Sequence, residues 1–499
     1  MNNINKYNED SVLNIDNVGK LKASGYIPRT IKAEIANNLT FKLRNNEPIF
    51  KGFFGYDDSV IPKIQNALLA QHDFVLLGQR GQGKTKLIRS LTELLDPFTP
   101  IIKGSELNDD PLNPISAFGK KQVASFGDDT EIEWVKAEMR FTEKLATPDI
   151  SVADLIGEID PIKVAEGRYL SNEEVLHFGL IPRSNRNIFA INELPDLAER
   201  IQVGLFNILE ERDFQIRSFK FLIPIDLLFV ATANPEDYTS RGRIITPLKD
   251  RFRAQIRTHY PFDLETEIQI MDQFAVITTP DGIEFRQLGF IKNIIAEFTQ
   301  LLRKSPSVNQ HSGVSVRLTL SNLETAASNA IRRAIINNET ETSVRISDLN
   351  CLIDSTLGKV ELETFDDDET EIIIKTLHNA ILHVFKDSIP PELVGPIVTL
   401  FDNGLVMDCA DDLDNSHYIK ILNEYPEIKK AVVHVMESMN PEITFSPDTT
   451  GELNEFLSEA ASCMEFILEG LHLIKRLNKN SFGTNFVYTT RHADLKFNR

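Results

Sequence analysis

The sequence predicts an α/β fold with long helical regions behind it. Two observations predict it: a glycine loop set between a strand and a helix, and two later apolar runs that end in polar residues. Phe74-Val75-Leu76-Leu77 reads as a short buried strand. The loop Gly78-Gln79-Arg80-Gly81-Gln82-Gly83-Lys84-Thr85 follows at once, in the pattern G-x-x-x-x-G-K-[ST]. Behind it Leu87, Ile88, Leu91, Leu94 and Leu95 recur at helical spacing. Such a loop turns its backbone N–H groups inward around phosphates. Lys84 can reach the β- and γ-phosphates, and the Thr85 hydroxyl can hold Mg²⁺. The N-terminus of the following helix favours the same anion. ATP with Mg²⁺ is the expected ligand; a glycine turn without a ligand is the plainer alternative.

The second apolar run is Ile188-Phe189-Ala190-Ile191, with Asn192-Glu193 at its end. Asn192 can accept a hydrogen bond from a metal-bound water but brings no charge. Glu193 stands where a carboxylate could orient and polarise an attacking water. It can also be read as the N-terminal acid of an amphipathic helix carrying Leu197, Ile201, Leu205 and Ile208. The third run, Leu227 to Ala233, ends in Asn234-Pro235, where Pro235 stops the strand. An amide there could lie between the two earlier strand ends and sense the γ-phosphate. Arg241, Arg243, Lys249, Arg251 and Arg253 then form a cationic stretch. Arg suits the γ-phosphate because its fork is planar and permanently charged, but composition alone does not choose among them.

The chain of 499 residues is long enough for about two to four domains and a large core. Its net charge of −20 argues against broad binding to nucleic-acid backbones. The polar start Met1-Asn2-Asn3-Ile4-Asn5-Lys6 has no apolar signal core behind it, and no stretch approaches a membrane span. Cys351, Cys409 and Cys463 are scattered, without metal-site spacing, which fits a reducing, cytoplasmic setting. The acidic run from Glu361 to Glu371 reads as a solvated linker or helix start. Leu457, Ala460, Met464, Ile467, Leu471 and Ile474 form a helical stripe that reads as an intramolecular packing face.

The order of phosphate loop, Asn-Glu-Leu strand end, Ala-Asn-Pro strand end and Leu248-Lys249-Asp250-Arg251-Phe252 resembles the AAA+ ATPases. Within them it resembles the clade of the magnesium chelatase ATPase subunit and the MoxR-like proteins. Gly55-Tyr56-Asp57-Asp58, Leu155-Ile156-Gly157 with Asp160, and Glu210 to Arg217 running into a hairpin through Ile225 support it. The resemblance covers about residues 50 to 360. It implies a three-layer αβα core with a parallel sheet over residues 46–265, after a lead-in at 1–45. A helical lid at 266–360 and a helical C-terminal region at 361–499 would follow. It further implies that Asn234 is a first sensor and that Arg251 reaches into the next subunit's site. Arg317, in Ser315-Val316-Arg317, would be a second sensor on the lid, and the Phe54–Asp57 segment, with Tyr56, would lie near the adenine.

Two departures stand out. Asn192 replaces the usual Asp of that family, and about 100 residues separate Thr85 from Asn192, far more than one strand–helix–strand unit needs. The excess, including Lys103 to Pro114 and the charged stretch to Thr147, reads as insertions on a ring surface. The resemblance implies a ring of six subunits that remodels or activates a protein partner, which in that clade often carries a von Willebrand factor A domain. One alternative is a transcription or nucleic-acid regulator of the enhancer-binding type, but no GAFTGA loop occurs. The other is an ATP-binding switch that hydrolyses poorly because of Asn192.

Overall fold

In a computed structural model the apolar runs become neighbours in one sheet. It describes residues 14–160, 173–216, 219–221, 223–234, 243–310, 312–363, 369–410, 412–439, 452–482 and 485–491, with residues 12 and 162. Met1 to Lys6, Arg217, Pro235, Arg241 and the Asp366–Asp368 part of the acidic run lie outside the described residues. The chain forms two units, Met1–His259 and Tyr260–Arg499.

The first unit is built on strands β1 (Phe74–Leu77), β2 (Phe141–Leu145), β3 (Asn187–Asn192), β4 (Leu227–Ala233) and β5 (Ala254–Arg257). Their order is β5-β1-β4-β3-β2, and every pairing is parallel. The register sets Leu77 beside Ala233 and Ala231 beside Ile191. All the strands therefore end on one edge. Side chains alternate across the sheet. Leu228 and Val230 of β4 join Ile188 and Ala190 of β3 on one face, packed with Leu87, Ile88 and Leu91 behind the loop. Leu227, Phe229 and Ala231 face the other way, against Ile201, Leu205 and Ile208. Helices on both faces of a parallel sheet make a three-layer αβα core, as expected.

The residues before 46 contribute to this core. The helix Ile31–Arg44 buries Ile31, Ile35 and Leu39 with Phe74 and Leu76. Its Glu34 meets Arg140 in a buried pair at 2.7 Å. The stretch between Thr85 and Asn192 supplies the edge strand β2. It also holds two antiparallel pairs, Phe98–Ile102 with Ile132–Lys136 and Gly157–Ile159 with Leu176–Phe178. The hairpin expected after Glu210 is the pair Phe214–Ile216 and Phe219–Phe221.

The second unit is mainly helical around a single core that runs from Met271 to Tyr488. The region after 361 is largely helical, as expected, and adds a small sheet to its helices. Met407–Ala410, Asn485–Thr490 and Leu477–Phe482 form an antiparallel sheet in that order. The predicted stripe is also more than a stripe. The helix Leu457–Leu473 is buried all round from Ser458 to Leu471, including Glu459, Glu465 and Glu469. A helix buried on every side must partner its polar groups within the protein. Glu459 pairs with Arg286, Glu465 accepts from Tyr418 and Ser347, and Glu469 holds Lys479 and Tyr488. Gly470 allows the closest approach, since a Cβ there would lie 1.9 Å from the Phe385 ring. Among the described residues no helix is long and apolar enough to cross a membrane.

Candidate active site

β1 delivers the loop at its C-terminal end, and the helix Lys84–Arg89 begins on its last two residues. Gly83 is the N-cap of that helix with φ of 71°, a left-handed backbone that disfavours a side chain. Gly78 is required for space. A Cβ there would lie 1.9 Å from Thr258 Oγ1 and 2.2 Å from Gln82 Oε1. Those two atoms are hydrogen-bonded to each other at 2.6 Å, which ties the loop to the end of β5. The Lys84 ammonium folds back onto the loop and donates to the carbonyls of Gly78 and Gln79. Gln79, Gly81 and Thr85 are half-buried and Arg80 is exposed.

Tyr56 lies beneath the loop. Its hydroxyl is 2.8 Å from the Gln82 carbonyl and 2.9 Å from that of His259, and its ring stands edge-on to His259 at 5.0 Å. Burial pushes the phenol above its ordinary range, so it remains a donor. The side chain is only 6% exposed, so it clamps the loop backbone.

Because β4 lies between β1 and β3, Asn234 stands between the loop and the Asn192-Glu193 strand end, buried. Glu193 is exposed, with φ of 55°, a left-handed conformation that costs a non-glycine residue on the order of 1–3 kcal/mol. Its backbone N–H donates to Thr232 Oγ1 at 3.0 Å. Read as a helix-terminal acid, it fits less well. A short 3₁₀ turn, Leu194–Asp196, follows it, and its side chain makes no capping bond. The amphipathic segment beyond is split into Glu199–Gly204 and Phe206–Glu210, with Leu197 ahead of both.

Asn192 is 8% exposed, and both ends of its amide have protein partners. Oδ1 accepts from Thr232 Oγ1 at 3.2 Å, and Nδ2 donates to Glu143 of β2. Glu143 in turn takes a two-point contact from Arg89, at 2.6 and 3.1 Å. Sequence reasoning passed over Thr232, Thr258, Glu143 and Arg89. Thr232 breaks the apolar run of β4, a weak signal. Glu143 sits in Phe141-Thr142-Glu143-Lys144-Leu145, whose polar pattern does not read as a buried strand at all.

Arg251 ends the helix Thr246–Arg251 and is held within its own unit. It pairs with Glu210 at 2.6 Å, donates to the Pro247 carbonyl and covers the Phe206 ring at 4.4 Å. Arg317 is exposed in the first turn of the helix Val316–Asn337 of the second unit.

No family model matches the chain. Over 208 residues it is 27% identical to the magnesium-chelatase subunit ChlI of Anabaena variabilis, which covers 40% of this chain and 56% of that protein. The 38 kDa magnesium-chelatase subunit of Chlorobaculum tepidum is 27% identical over 232 residues, covering 44% of this chain and 55% of that one. The chain spans about half the length of the first of these curated magnesium-chelatase relatives. A reconstruction of the complex between magnesium-chelatase subunits BchI and BchD aligns with 61% of this chain and 91% of that one. Its sequence identity is 18% and its TM-score 0.30. Brucella abortus NtrX in complex with ATP aligns with 78% of this chain and 72% of its own, at 12% identity and a TM-score of 0.38.

Proposed function

We propose that the chain binds Mg-ATP in the Gly78–Thr85 loop and hydrolyses it within a six-membered ring that remodels or activates a protein partner. The observation that carries this reading is the strand order, which sets Asn234 between the phosphate loop and the exposed carboxylate of Glu193. The loop suits a triphosphate: Gly78 leaves room for the tight turn, and the Lys84 ammonium lies against loop carbonyls, where phosphate oxygens, as charged acceptors, compete for it. Bound Mg²⁺ neutralises the phosphate oxygens on which charge develops.

Lys84 then turns to the β- and γ-phosphates, and Thr85 offers its hydroxyl to the metal. Asn192 Oδ1 has a second lone pair for the metal's water shell. Glu193 accepts the proton of the attacking water, and Asn234 orients that water against the γ-phosphate. Arg251 serves a neighbouring subunit's site after leaving Glu210, and Arg317 serves the site from the helical unit. Similarity to magnesium-chelatase subunits supports an ATPase of that type. A partner carrying a von Willebrand factor A domain and a cytoplasmic setting complete the proposal. The neutral Asn192 favours slow turnover, which keeps the reading of an ATP-dependent switch alive.

The test is binding of a fluorescent ATP analogue, with sizing in a slowly hydrolysed analogue. Wild type should bind and assemble, and Lys84→Ala should do neither. A strict monomer at high protein and nucleotide concentration would sink the ring and the trans role of Arg251.

A further inference from the structure

The loop and strand ends that face the expected Mg²⁺ are neutral at their two metal-side residues, Thr85 and Asn192. A hard divalent cation is ordinarily held through one or two carboxylates beside the phosphates. A carboxylate that contacts Asn192 comes from another strand. Glu143 lies on the sheet face that carries Ile188 and Ala190, since Phe141 and Glu143 pair with those positions in register. That face packs on the phosphate-loop helix. At the open edge the apolar face turns polar, and Thr232, Asn192 and Glu143 form a continuous hydrogen-bonded row. Arg89, one turn beyond Thr85 on that helix, grips Glu143 from the other side.

We infer that Glu143 is the displaced carboxylate of the metal site, acting through Asn192 as a positioning residue. This rests on the Mg-ATP reading. Two physical effects support it. Asn192 Nδ2 donates to the carboxylate, which draws electron density toward Oδ1 and makes it a better acceptor for a metal-bound water. The hydrogen bond also fixes the amide with Oδ1 turned away from Glu143, an outer-shell device of the kind that orients metal ligands. Arg89 only partly cancels the charge. Its side chain is 62% exposed and screened by water, against 21% for Glu143.

The test titrates Mg²⁺ against the affinity of the full chain for a fluorescent ATP analogue, with EDTA as the metal-free reference. Glu143→Gln should lose about tenfold or more of the affinity that Mg²⁺ adds, with metal-free binding unchanged. Asn192→Asp alone sets a second carboxylate against Glu143, so it should lower the melting temperature. Combining the two exchanges the amide and the carboxylate while keeping a hydrogen bond between them. The double variant should regain the Mg²⁺ dependence that Glu143→Gln loses.

If Glu143 merely anchors Arg89, Arg89→Met would match Glu143→Gln. On the present inference Arg89→Met keeps the Mg²⁺ dependence, and its loss there would overturn the inference even if Glu143→Gln fails to fold. An unchanged Mg²⁺ dependence in folded Glu143→Gln would overturn the inference. A wild-type chain that binds no nucleotide with Mg²⁺ would instead overturn the nucleotide reading, and this one with it.

Discussion

Both units place carboxylates beside apolar cores, but they hold them differently. In the second unit Glu459, Glu465 and Glu469 of the helix Leu457–Leu473 each meet a cation, hydroxyl or backbone N–H. At the sheet edge of the first unit Glu193 stays exposed on strained backbone, and Lys84 donates to carbonyls of its own loop. Buried polar groups that are fully paired specify a structure. Polar groups left exposed or weakly held at a common edge can bind and react. The contrast teaches where to seek chemistry: not at the most buried charges, but where apolar strand faces turn polar at one end.

Substitutions can break this contrast from either side. The largest effect should come from Glu193→Gln, which keeps the fold and nucleotide binding and lowers ATP turnover by about 10²–10⁴-fold. Equal turnover in wild type and variant would return Glu193 to a structural role. Next is Arg333→Met in the second unit. Arg333 meets Asp348 in a pair buried on both sides. Removing one partner of such a pair costs about 3–5 kcal/mol. Denaturant unfolding should show that loss, while any nucleotide bound by folded protein keeps its affinity.

A smaller, pH-dependent effect is expected at Glu469. Burial pushes this carboxyl up, but Lys479 at 2.7 Å and the Tyr488 hydroxyl outweigh it and hold it below its ordinary 4.5. A lowered carboxylate contributes stability that is complete above pH 4.5 and drains away as pH falls through the folded value. Lys479→Met removes the main support, so the acid limb of a melting-temperature profile should move to higher pH. A profile superimposable on wild type would mean that Lys479 contributes nothing there.

The smallest effect concerns Arg251. Its partner Glu210 is 57% exposed, so losing the pair should change stability by at most about 1 kcal/mol. Glu210→Gln should nevertheless free Arg251 and lower the protein concentration at which the ATP-bound ring assembles. Unshifted assembly in analytical ultracentrifugation would mean that the contact does not compete with subunit docking.

The sequence alone determined what is local in the chain. The loop Gly78–Thr85 is legible because its residues are contiguous and each has a backbone or side-chain reason for its type. The strands ending at Leu77, Asn192 and Ala233 are legible because burial on both faces demands continuous apolar runs. The helix Leu457–Leu473 was legible as a helix, but not as one buried on every side. Nothing local in the sequence joins its glutamates to Arg286, Tyr418 and Lys479. Tertiary structure alone decided which strand ends are neighbours, because pairing joins segments that no local pattern connects. Asn192 meets Glu143 across 49 positions, and Arg89 meets Glu143 across 54. The polar strand β2 is stabilised by its place beside β3 and carries no period of its own. A neutral Asn192 therefore reads as a missing charge in the sequence, and in the folded sheet as an amide with a carboxylate against it.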